Sequence, residues 1–144
     1  MSAADPHDFR EINRKIIEQF RESEGQGALG PVHFERLVLL TTVGRRSGHP
    51  HTVPLGYVRD RTDNLVLFAS NMGAPRDPQW YRNIAADPRV HVEITGAEWD
   101  AVATITSGAE REDAYRLWIT AMPHVAGHQD QAGRQIPMVL VSPG

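Results

Sequence analysis

The chain has 144 residues, 40% hydrophobic and 23% charged, with a formal net charge of −3 and no cysteine. That length suits one domain spanning residues 1–144, able to bury roughly two-thirds of the surface its unfolded chain exposes. The acidic balance excludes a broad nucleic-acid-binding face, and the missing cysteine excludes disulfides, thiolate zinc sites and a cysteine nucleophile.

The opening "MSAADPHDFR" lacks the charged-then-apolar pattern of a leader, and no apolar run reaches membrane-spanning length, so a cytoplasmic protein is expected. Phe9, Ile12, Ile16, Ile17 and Phe20 fall on one face of a helix expected over about 8–22. Its other face mixes Arg, Glu, Lys and Gln, which gives little reason to expect membrane association. "EGQGALGP" (24–31) has the glycine density of a linker. Strands are expected at "RLVLLTTV" (36–43), "HTVPLGYVR" (51–59), "NLVLFAS" (64–70), "RVHVEIT" (89–95), "WDAVATIT" (99–106) and "IPMVLV" (136–141). Two more helix starts are marked. Asp77-Pro78 offers an N-cap acid with proline at the first helical position, and Ser107 with Glu110 offers a capping box. Short turns and few crossover helices argue for α+β architecture, mainly β with peripheral helices, closed as a small antiparallel barrel.

The loop "TTVGRRSGHPHTVPL" (41–55) places Arg45 and Arg46 between Gly44 and Gly48, directly after a strand. Glycines there permit an anion-binding nest of backbone N–H groups, and each guanidinium presents a planar fork to phosphate or carboxylate. The plainer alternative is a solvated hairpin turn. In "ASNMGAPRDPQWYRN" (69–83), a strand leads through small residues and prolines into a helix start. Such an N-terminus attracts anions, and Trp80 could wall a flat ligand; alternatively Trp80 and Tyr81 are ordinary core residues.

Taken together, "LLTTVGRRSGHPHTVPLGYVRD", "ASNMGAPRDPQWYRNIAADPRVHVEI", "FREINRKIIEQFR" and "GRQIPMVLV" resemble the deazaflavin-dependent nitroreductase family of oxidoreductases, in family order from about Phe9 to Val141. The resemblance implies a split β-barrel related to FMN-binding oxidoreductases, and the coenzyme F-420, an 8-hydroxy-5-deazaflavin with a phospholactyl-oligoglutamate tail. It places Arg45 and Arg46 at the phosphate and acidic tail, with Ser47 and Gly48 shaping the loop. Pro50, His51 and Pro54 would line the coenzyme's entry. Ala69, Ser70, Asn71 and Gly73 would lie against tail and ring, and Trp80 and Asn83 match the family's "P-x-W-Y-x-N" element. His51 stands where many relatives carry arginine, Val53 replaces a polar residue, and Asn71 stands where a lysine often contacts phosphate. Well-studied relatives show tyrosines at the positions of Met122, Val125 and His128, so nitroimidazole reduction of their kind is not expected here.

The chemistry this implies is hydride transfer from the reduced coenzyme to a small acceptor such as a quinone, an enone or a nitroaromatic. His128 or His124 could then supply a proton, as could water; otherwise both are surface histidines. No HExxH or other ligand spacing suggests a metal, and no G-x-S-x-G suggests a hydrolase. Two alternatives are a non-catalytic carrier of the deazaflavin and a split-barrel oxidoreductase using FMN or FAD. Related flavin barrels dimerise around their cofactor, which leaves a homodimer open.

Overall fold

The computed structural model describes residues 9–143; the remaining residues, including most of the "MSAADPHDFR" segment and the first position of the expected helix, lie outside the described residues. In chain order the main elements are α1 (Arg10–Glu22), β1 (Ala28–Leu29), β2 (Val32–His33), β3 (Leu37–Val43), β4 (Pro50–Gly56), β5 (Val58–Arg59) and β6 (Leu65–Phe68). Then follow α2 (Gln79–Ala86), β7 (Arg89–Ile94), β8 (Ala97–Ile105), α3 (Gly108–Ala121), α4 (Ala126–Ala132) and β9 (Met138–Val141).

Seven strands form one antiparallel sheet in the order β4-β3-β7-β8-β9-β6-β5, curled so that β4 approaches β6 as a half-barrel. The period-2 pattern sets which face is inside. Val38 and Leu40 of β3, with Val90 and Val92 of β7, point into a core shared with Leu65, Leu67 and Val139. One residue out of phase, Leu39 faces the other side of the sheet, where Ile16 and Phe20 of α1 and Phe34 cover it. α1 is further tied to β7 by a bidentate pair, Arg21 Nε and Nη2 donating to Glu93 Oε1 and Oε2 at 3.1 and 2.8 Å. A separate cluster lies under α3 and α4, where Trp118 donates its indole N–H to the carbonyl of Val66 at 2.8 Å.

Four local expectations are revised. Tyr57 interrupts the run expected as one strand over 51–59, leaving β4 and the two-residue β5. Residues 24–31, read as a linker, contain β1, which pairs with β2. Neither expected cap forms: the N-cap of α2 is Pro78, because Asp77 is engaged by Arg134 at 2.7 Å, a charge-assisted bond. Ser107 does precede α3, yet its hydroxyl makes no capping bond, and Gly108 follows at φ 57°, outside the helical basin. α4 is the fourth revision, a short helix in a stretch without a helical apolar period.

Candidate active site

The loop after β3 is a tight turn. Gly44 N–H donates to His49 O and Gly48 N–H to Gly44 O, both at 2.8 Å, with Gly48 at φ 75°. Ser47 Oγ accepts from His49 N–H at 3.1 Å. Arg45 N–H donates to Asn83 Oδ1 at 3.3 Å. These bonds occupy the N–H groups of Gly44, Arg45, Gly48 and His49 within the fold. The expected row of backbone donors is thereby reduced to Arg46 and Ser47, and the loop's anion-binding capacity rests on its side chains.

Asn83, on α2, organises that capacity. It is 5% exposed. Its Oδ1 also accepts from Arg45 Nη1 at 3.1 Å, and its Nδ2 donates to Thr42 Oγ1 at 3.0 Å. Both ends of the amide are satisfied, as burial requires, and Arg45 is held in one direction. Arg46 is exposed and makes no hydrogen bond or ion pair among the described residues. A Cβ at Gly44 would meet the His51 ring and Ser47 Oγ at 2.7 Å, so any side chain there displaces this rim.

These residues border a cavity of about 680 Å³, which also receives Trp80, Val53 and Gln79. Its other wall is α1, whose Arg10, Asn13, Arg14 and Ile17 share a helix face at i, i+3, i+4 and i+7. Among the described residues, four arginines (10, 14, 45 and 46) line the cavity with one acid, Glu18, which pairs with Arg14 at 3.5 Å. Trp80, Ile17 and Val53 supply apolar wall. The cavity thus combines cationic side chains with apolar surface suited to a flat ring.

Of the expected site residues, Arg45, Arg46, Ser47, His51, Trp80 and Asn83 meet at this cavity. Gly48 and Pro50 instead border a groove of about 630 Å³ on the outer sheet face, with Arg89, His91 and Asp100. Pro54 lies within β4, paired with Leu39.

Ala69, Ser70, Asn71 and Gly73 form the loop between β6 and α2, outside the cavity lining but adjoining it, since Ala69 packs in the same cluster as Trp80. Arg134 holds this loop through the carbonyls of Ala69, Ser70, Ala74 and Arg76. His128 packs from α4 against Gly73, whose Cβ would come 3.5 Å from the His128 Cα. Its Nδ1 is buried and has no partner among the described residues. His124 is exposed on the turn before α4. Val125 is buried and Met122 packs half-buried on the same cluster, so two of the three positions for which the resemblance implies tyrosine serve packing here.

Sequence reasoning missed the contribution of α1, because an amphipathic period shows which face is apolar but not what the polar face overlooks. It also missed Arg134, an unremarked cation in "GRQIPMVLV" whose five donors acquire meaning only when β6 and α4 are neighbours.

Residues 12–143 match the F420H(2)-dependent quinone reductase family. An F420H(2)-dependent quinone reductase of Mycobacterium tuberculosis is 31% identical over 109 residues, covering 73% of this chain and 72% of that protein. Among solved structures, an F420-H2 dependent reductase (FDR-A) aligns at 35% identity and TM-score 0.68, over 74% of this chain and 94% of that one. A structure described as a domain-swapped dimer aligns at 33% identity and TM-score 0.70, over 90% and 98%. None of these names supports the FMN or FAD alternative. This chain belongs to the F420H(2)-dependent quinone reductase family, a family of oxidoreductases.

Proposed function

We propose that the chain reduces a quinone with reduced coenzyme F-420, holding the coenzyme's anionic end in the arginine-lined cavity. The observation that carries this is the concentration of four arginines around one cavity with an apolar wall. The residues fit the group: guanidinium forks match phosphate and carboxylate oxygens, and the side-chain-free Gly44 leaves room for His51 and Ser47 at the rim. When bound, the reduced coenzyme supplies the hydride.

The protein's part is orientation and exclusion of water. Arg45, preset by Asn83, and Arg46, without a partner among the described residues, take the anionic groups, while Trp80, Ile17 and Val53 cover apolar surface. Asn71 would hydrogen-bond where relatives use lysine. Gly48, Pro50 and Pro54 shape β4 and its entry rather than touching ligand. His128 and His124 are the two side-chain candidates for giving the acceptor its proton; neither lines the cavity, and the buried Nδ1 of His128 would have to become accessible first, so bound water is the alternative donor. Enones are a plausible second acceptor class on chemical grounds. Nitroaromatics stay among the acceptor classes, although nitroimidazole reduction is disfavoured: Val125 is buried and Met122 half-buried against the same cluster, and neither offers a phenol. The domain-swapped relative supports pairing of this chain with a second copy, which light scattering would read.

Titration with oxidised F-420, FMN and FAD, followed by consumption of reduced F-420 with a quinone, an enone and a nitroaromatic, tests the proposal. Selective F-420 binding and fastest turnover with the quinone are expected. Binding without turnover by any acceptor would make the chain a carrier; preference for FMN or FAD would overturn the cofactor assignment.

A further inference from the structure

We infer that Arg134 is a positioning residue for coenzyme binding, one that presets the 69–77 loop and the start of α2 without itself touching the ligand. This rests on the cofactor reading above.

The sequence places Arg134 directly after Gly133, which ends α4 at φ 67°, a left-handed conformation glycine adopts without penalty. That turn sends the chain back toward β6. The backbone around Arg134 is itself pinned. The Gln129 amide donates to Arg134 O and accepts from Ile136 N–H at 3.0 Å. Arg111, 5% exposed, donates to Ile136 O at 3.2 and 2.7 Å.

The guanidinium then meets five acceptors on one loop. Nε donates to Ala74 O at 3.3 Å, and Nη1 to Asp77 Oδ1 at 2.7 Å. Nη2 lies 3.3 Å from the carbonyls of Ala69 and Ser70 and 3.0 Å from that of Arg76. Only a planar fork can serve acceptors spread over nine positions; a lysine would offer one point charge.

Two consequences follow. A trans peptide sets its N–H opposite its C=O. With the carbonyls of Ser70 and Arg76 turned to Arg134, the N–H groups of Asn71 and Asp77 face away from it. The loop also carries Asn71 at φ 50° and Gly73 at φ 79°, conformations that need outside support at the non-glycine residue. Secondly, the Arg134–Asp77 pair anchors the chain just before α2. That helix carries Trp80 and Asn83 to the cavity, and Asn83 in turn directs Arg45. The clamp therefore reaches the anion site through a continuous set of contacts.

The test compares Arg134→Lys and Asp77→Asn with wild type, by fluorescence titration with oxidised F-420, melting temperature, and the separation of KM for reduced coenzyme from kcat. For Arg134→Lys a roughly tenfold rise in Kd is expected, matched by KM, with kcat within about twofold. Asp77→Asn keeps the carbonyl acceptors and should raise Kd roughly threefold. A merely structural role would lower the melting temperature and the fraction of binding-competent protein while leaving Kd unchanged. Wild-type Kd in both variants overturns the inference alone; if Arg134→Lys does not fold, Asp77→Asn decides. Failure of the wild-type protein to bind F-420 overturns the cofactor reading and the inference with it.

Discussion

The loops that follow β3 and β6 are built in opposite ways. In the first, four backbone N–H groups are taken up by loop carbonyls and by the side chains of Ser47 and Asn83, and one cation, Arg46, is left exposed without a partner among the described residues. In the second, four carbonyls and a carboxylate converge on the guanidinium of Arg134, which is thereby fully engaged inside the protein. One loop presents charge and the other presents shape. The distinction matters energetically, because a guanidinium already paired must exchange one partner for another on binding, whereas an unpaired, solvated one gives up only water.

Reversing Arg46 is the largest way to break this contrast. Arg46→Glu should weaken F-420 binding roughly 100-fold, by loss of a charge-assisted contact and added repulsion. Its melting temperature should stay near wild type, since an exposed residue without partners contributes little to stability. Unchanged affinity in a titration would reduce the arginine loop to a solvated turn.

Asn83 ties α2 to β3 and the arginine loop, and its loss should register on both stability and affinity. Asn83→Ala strips Arg45 of its tether and leaves Thr42, 1% exposed, without that partner. A destabilisation of about 1–3 kcal/mol in urea unfolding is expected, with a roughly tenfold weaker Kd. Loss of stability with intact affinity would show that Arg45 needs no presetting.

Gly44→Ala is subtler. The new methyl group collides with the ends of His51 and Ser47, side chains at the exposed rim, rather than with backbone. Stability should change by less than about 1 kcal/mol, and affinity should fall only a few-fold as the rim is displaced. A large loss would mean the rim contacts ligand more closely than the arginines do.

The smallest expected effect lies outside both loops. His91 on the outer sheet face is flanked by Glu98 at 3.0 Å and Asp100 at 2.7 Å, with Arg89 two residues away on the same face. Hydrogen bonds to Glu98, then Asp100, raise its pKa above 6.5. A raised folded-state value means the histidine's contribution to stability is complete below the unfolded value near 6.5. It is lost as pH rises through the folded value. His91→Gln should remove that slope from melting temperatures measured between acid and mildly alkaline pH, leaving F-420 affinity unchanged. A slope that survives would assign it to another group.

Much of the barrel was legible because its signals are local. The alternation in "RVHVEIT" names the inward face of β7, and the apolar run of β3 needs no partner to be recognised as a strand. The two caps misled for different reasons. Asp77 meets a guanidinium delivered from 57 positions later in the chain, and Ser107 is followed by Gly108 at φ 57°, outside the helical basin. α4 was invisible because seven residues with little apolar period form a helix only when Val125 and Ala132, at its ends, have a core to enter.

What the residues alone settled was the strand pattern, the family resemblance and the presence of two arginines between glycines. What folding decided was the use of those parts. Four of the loop's N–H groups turned inward, because the carbonyls of Gly44 and His49 and the side chains of Ser47 and Asn83 lie within hydrogen-bond reach. Arg10 and Arg14 became cavity wall because Ile16 and Phe20, on the far side of the same helix, are buried against Leu39 and Phe34. Periodicity names the face that a helix buries; only packing decides what its remaining face looks upon.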